Sequence, residues 1–172
     1  MMRGQLVCDD IRELGLFAVH EAGHYAMARR HGAVLGCVSL KEGFHGEVPL
    51  AESSMVEADR RLDIAEAGPA AERILMGADS KVIGPDWVLR NDAAIELLNA
   101  ADDRDQFTMF AEAQANAEAF VRENSDVIRA VACVMARYSN TPGCVPRDEL
   151  EQARLDPGSV KCVANPREMP QH

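Results

Sequence analysis

The stretch Ala18-Val19-His20-Glu21-Ala22-Gly23-His24-Tyr25-Ala26 sets two histidines four residues apart, with a glutamate directly after the first. Apolar residues recur around it at Ile11, Leu14, Phe17, Ala18, Ala22 and Ala26, the spacing of a helix face. Asp10 and Glu13 form a capping-box pair ahead of it and Gly32 is a stop signal, so the stretch is predicted to lie inside one helix of about five turns. One turn of α-helix aims residues i and i+4 in the same direction. His20 and His24 can therefore share one metal ion, while Glu21, turned about 100° away, is left to handle protons. That division of labour predicts one Zn2+ per chain, water acidified by the ion, and Glu21 as the general base for attack on a peptide carbonyl. Each ligand must be a neutral imidazole, so binding is expected to weaken as pH falls through about 6. Gly23 costs roughly 1 kcal/mol relative to alanine inside a helix, which predicts a close neighbour against its backbone.

The rest of the 172 residues read as mainly α with a small β-hairpin, an α+β domain over 1–155 followed by a disordered tail over 156–172. The β-branched run Val34–Leu40, a break at Gly43 and Phe44–Leu50 predict the hairpin. Ser54 with Glu57 opens a helix that Gly68-Pro69 should kink or end. Residues 78–90 are expected to be a loop in which Trp87 packs as an anchor. Further helices are expected from Asn91, from Asp105, from Ser125 and from Pro146.

A net charge of −10 excludes non-specific nucleic-acid binding, which needs clustered cations. No run approaches the roughly 20 apolar residues of a membrane span, and the first residues lack the apolar stretch of a secretory signal. Five cysteines, an odd number without C-x-x-C spacing, predict free thiols and a reducing cytoplasm.

A catalytic zinc needs a third protein ligand. His31 falls at the wrong spacing for a third histidine, which would stand where Arg30 does. Glu66, Glu72 and Asp92 are the carboxylates in play.

His20-Glu21-Ala22-Gly23-His24, then a hairpin, then Ala67-Gly68-Pro69-Ala70-Ala71-Glu72-Arg73, then Asn91-Asp92 resembles the peptidase domain of the FtsH-type ATP-dependent zinc metalloproteases. That family carries HEAGHA, a G-G-R-A-A-E-E run and an S-N-D segment, and the helices around Asn124 resemble its C-terminal helical pair. Pro69 stands where the family has arginine, and Arg73 where it has a second glutamate. The resemblance implies a zincin-like fold in which His20, His24 and Asp92 bind zinc and Glu21 is catalytic. It also implies that a strand edge around Gly46, Glu47 and Val48 holds an extended substrate by strand addition. A peptide or unfolded protein is the implied substrate, with a separate unfoldase or a homo-oligomeric ring as possible partners. No G-x-x-x-x-G-K-[ST] run occurs, so ATP hydrolysis is not expected from this chain. Two other readings compete: a catalytically silent metal-binding domain for peptides or proteins, and a metallopeptidase of the phage-repressor-cleaving type.

Overall fold

The computed structural model describes residues 15–41, 45–51, 56–82, 84–100, 102–139, 141–160 and 162. Among them the chain is mainly helical, with six α-helices and one two-stranded antiparallel hairpin.

Helix α1, Leu16–Arg30, is the central element. Every residue from Ala18 to Ala28 except His20 is buried, so this helix is enclosed on nearly all sides. Arg29 and Arg30 sit in its last turn, where positive charge complements the helix dipole. Gly32, at φ +72°, supplies the left-handed residue just past its end, as expected. The predicted Asp10–Glu13 capping box lies outside the described residues.

The chain then forms strands β1, Ser39–Lys41, and β2, His45–Glu47, with Ser39 opposite Glu47 and Leu40 opposite Gly46. A bridge between Leu35 and Leu50 continues the hairpin. β2 lies against α1. Near β1, the Val145 amide donates to the Val38 carbonyl at 2.7 Å.

Helix α2, Ala58–Ala71, packs along α1 and also carries α3 and α4. The crossing with α1 is tight at Gly23, where an added Cβ would meet the Ala67 carbonyl oxygen at 2.5 Å and the Ala71 Cβ at 2.9 Å. The neighbour expected from this mid-helix glycine is α2. Gly68-Pro69 does not end α2. Proline costs a helix one N–H bond and crowds the residue before it, but that residue is glycine, and the burial of Pro69 holds the segment in place. Past Ala71 the helix widens into a π-helical turn, Glu72–Met76, closed by Gly77 at φ +68°. The predicted Ser54 cap falls outside the described residues.

Helix α3, Gly84–Asn99, starts seven residues before the predicted Asn91 and absorbs half of the expected loop. Trp87 is therefore helical, and at 52% exposure it is not a packing anchor. Helices α4, Gln106–Glu123, α5, Ser125–Arg137, and α6, Arg147–Leu155, follow close to the expected places. The Asp105 carboxylate caps α4 by accepting from the Thr108 amide at 2.7 Å.

Two disulfides overturn the free-thiol expectation. Cys37 bonds Cys144 across 107 residues and Cys133 bonds Cys162 across 29, with Cα separations of 5.1 and 5.4 Å that suit the linkage. Packing also runs past the predicted domain end: Pro157–Ser159 forms a 3₁₀ turn, and Val160 and Cys162 join the core. Residues 163–172 of the expected tail lie outside the described residues. No helix among the described residues is long and apolar enough to cross a membrane.

Candidate metal centre

α1 presents His20 and His24 towards the point where it crosses α2 near Gly68. The two imidazole Nε2 atoms lie 2.9 Å apart. Each opposite ring nitrogen is engaged as a donor. His20 Nδ1 donates to Glu72 Oε1 at 2.7 Å, and His24 Nδ1 donates to the Ile64 carbonyl at 2.7 Å. With both Nδ1 protons committed outward, each ring, when neutral, turns its Nε2 lone pair inward. Glu72 is itself held, since the Ser80 hydroxyl donates to its other oxygen.

The third group is Asp86, in the first turn of α3. Its Oδ2 lies 3.0 Å from His20 Nε2 and 3.2 Å from His24 Nε2, so the three donor atoms form a nearly equilateral triangle. Donors 2.0–2.1 Å from a tetrahedral ion are about 3.3 Å apart, a few tenths of an ångström wider than this triangle. Gly68 lies beneath the donors. An added Cβ there would come within 2.3 Å of His24 Nε2 and 2.8 Å of His20 Nε2. The position beside both nitrogens is kept clear of any side chain. Two imidazoles, one carboxylate, outward tautomers and a bare glycine fit a small divalent cation. Among the described residues, His20, His24 and Asp86 are the group with this geometry.

The electrostatics agree. Burial alone would lower the His20 pKa, but its hydrogen bonds to Asp86 and Glu72 and the charge of Glu21 outweigh that and push it up to about 10. Burial would raise Asp86, yet the charges and hydrogen bonds of His24 and His20 hold it well below the usual carboxylate range. Two inward lone pairs at 2.9 Å repel each other. A proton on His20 relieves that repulsion, standing where a cation would.

The structure does not bring Asp92 to the two histidines. Asp92 is exposed on α3, six residues and about 9 Å of helix rise beyond Asp86. The likeness of Asn91-Asp92 to the family's S-N-D segment implies Asp92, but the helix opens at Gly84 and its first turn brings Asp86 to the histidines instead. Gly84-Pro85-Asp86 carried the available signal, proline in the first helical turn followed by an acidic residue. Glu72 and Glu66, the other carboxylates considered, are both buried. Glu72 orients His20, and Glu66 accepts from Arg90 Nη1 at 3.0 Å. Glu21 is buried on α1 beside His20. Gly46 and Glu47 lie in β2 and Val48 follows it, so they share a hairpin edge adjoining α1. His31 is paired with Asp63 at 3.2 Å, apart from the cluster.

No protein-family model, curated protein or solved structure matches the chain significantly.

Proposed function

We propose that the chain is a zinc-dependent metallopeptidase acting on peptides or unfolded proteins, built as a zincin-like domain related to the FtsH-type peptidases. The observation that carries this reading is the triangle of His20 Nε2, His24 Nε2 and Asp86 Oδ2 with Glu21 next to it in sequence. Three protein ligands leave a fourth position for water, which suits catalysis better than a closed structural site. Asp86 and His20 keep part of their side chains solvent-accessible, 21% and 16%, so the centre has an approach from outside. Zn2+ held there would supply a Lewis acid toward water and a peptide carbonyl.

The chain's own groups account for the remaining work. Glu72 and the Ile64 carbonyl fix the tautomers and aim the rings. The N-terminal turn of α3 favours ionised Asp86. Glu21 takes a proton from the attacking water and delivers it to the departing amine nitrogen as the C–N bond breaks. The edge at Gly46, Glu47 and Val48 would pair with the backbone of an extended substrate. Supporting this, β2 has β1 as its strand partner and lies beside α1. A separate unfoldase or a ring of copies would extend the activity to folded substrates. Two disulfides suit an oxidising environment, against the cytoplasmic expectation drawn from the cysteine spacing and the absent secretory signal.

Glu21→Gln tests the reading. The variant should keep zinc while cleavage of unfolded casein falls by about 100-fold or more. Equal cleavage by wild type and variant would remove the enzyme assignment.

A further inference from the structure

Helix α3 has two faces of comparable apolar content. Leu89, Ala93, Ala94 and Leu97 face α2 and α4, with the two alanines fully buried. Trp87, Val88, Ile95 and Leu98, on the whole larger, are 44–52% exposed on the adjoining side of the helix, with Trp87 and Leu98 only about 20–40° round from Ala94. Apolar burial therefore does not by itself select the face turned inward, and a rotation of α3 by more than about 100° would cover the bulkier side chains. The same rotation would carry Asp86 away from the histidines.

Besides the contacts of Asp86 itself and the more exposed Arg61–Glu96 and Gln106–Asn91 contacts, one polar contact that is largely buried on both sides ties α3 to α2 in this orientation. Arg90, four residues after Asp86 and so on the same face, donates to Glu66 at 3.0 Å, with side-chain exposures of 18% and 4%. Its guanidinium also lies 4.1 Å from the centre of the Phe110 ring on α4. Glu66 stands two residues before Gly68, the floor of the metal centre, and two after Ile64, whose carbonyl orients His24. Rotating α3 would strand a buried carboxylate, so the wrong orientation is penalised where hydrophobic burial is indifferent.

We propose that the Glu66–Arg90 ion pair is a positioning device that selects the inward face of α3 and thereby holds Asp86 against His20 and His24. Its consequence for metal rests on the zinc reading above; its consequence for the orientation of α3 does not.

The experiment uses the full chain carrying Glu66→Met with Arg90→Met, which replaces the pair by apolar side chains and avoids leaving one ion unpaired. Two readouts are taken: acrylamide quenching of Trp87, the sole tryptophan, and zinc affinity by competition with a chromophoric chelator. The expected result is a helical circular-dichroism spectrum, a Trp87 less accessible than in wild type, and zinc binding weakened by about tenfold or more. Glu66→Gln should move both readouts the same way by less. Unchanged quenching and unchanged affinity in the folded double variant would overturn the proposal. If the double variant does not fold, wild-type quenching and affinity in Glu66→Gln overturn it instead. Should wild type take up no zinc while Trp87 still becomes shielded in the double variant, the positioning role stands and the zinc reading falls.

Discussion

Substituting Gly68 by alanine sets two opposed effects against each other. Alanine is favoured over glycine inside a helix by about 1 kcal/mol, so an innocuous site would gain stability. Here the new Cβ would lie 2.3 Å from His24 Nε2, 2.8 Å from His24 Cδ2 and 2.8 Å from His20 Nε2. Ordinary contact begins at about 3.4 Å, so the His24 ring would have to retreat by about 1 Å. It cannot do so freely, because its Nδ1 is tied to the Ile64 carbonyl at 2.7 Å. Nor can α1 back away without opening its close contact with α2 at Gly23. Overpacking of this kind costs about 1–3 kcal/mol, enough to cancel the propensity gain. Metal sites tolerate displacements of only about 0.2 Å in ligand distance, so zinc affinity should fall by about 100-fold or more. Thermal denaturation with and without zinc, together with chelator competition, reads both quantities. Gly23→Ala is the comparison, an α1–α2 clash whose added Cβ meets Ala67 and Ala71 rather than the ligand nitrogens; its loss should appear mainly in stability. A Gly68→Ala chain that is more stable than wild type and binds zinc normally would refute the placement of the metal centre over Gly68.

Two further outcomes follow from the polar groups of the centre. In metal-free protein His20 is raised to about 10 from 6.5, so its contribution to stability is fully present below about pH 6.5 and is lost as pH rises through about 10. Asp86, held low, contributes above about pH 4 and loses its contribution on acidification. The melting temperature of chelator-treated chain should thus decline from pH 6.5 to 10, and Asp86→Asn should flatten that slope; a rising curve would contradict the pairing. Glu72→Gln should keep the fold but weaken zinc binding by about 10–100-fold in chelator competition, since His20 loses its charged orienting partner.

The parts of this molecule legible in sequence are those governed by local periodicity. His20, Glu21 and His24 declare their geometry because a helix repeats every 3.6 residues, and the apolar face around them marks the helix. The hairpin and α4 to α6 are readable for the same reason, through alternation, caps and amphipathic spacing. What escaped depends on contacts between distant segments. Asp86 meets His20 from 66 residues away, and Gly84-Pro85 reads equally as a turn or as a helix start. Asp92 is instead what the likeness of Asn91-Asp92 to the family's S-N-D segment implies. Glu72 and the Ile64 carbonyl act on histidines 52 and 40 residues distant. The disulfides, with separations of 107 and 29 residues, follow no spacing rule that could announce them. Of the two outcomes expected at Gly68-Pro69, a helix end does not occur, because burial against α1 overrides the breaker signal.

Metal content of the purified chain, measured by mass spectrometry in wild type, Asp86→Ala and Asp92→Ala, bears most directly on the whole account. One zinc per chain is predicted in wild type and in Asp92→Ala, with little or none in Asp86→Ala. Zinc retained without Asp86, or lost on removing Asp92, would contradict it.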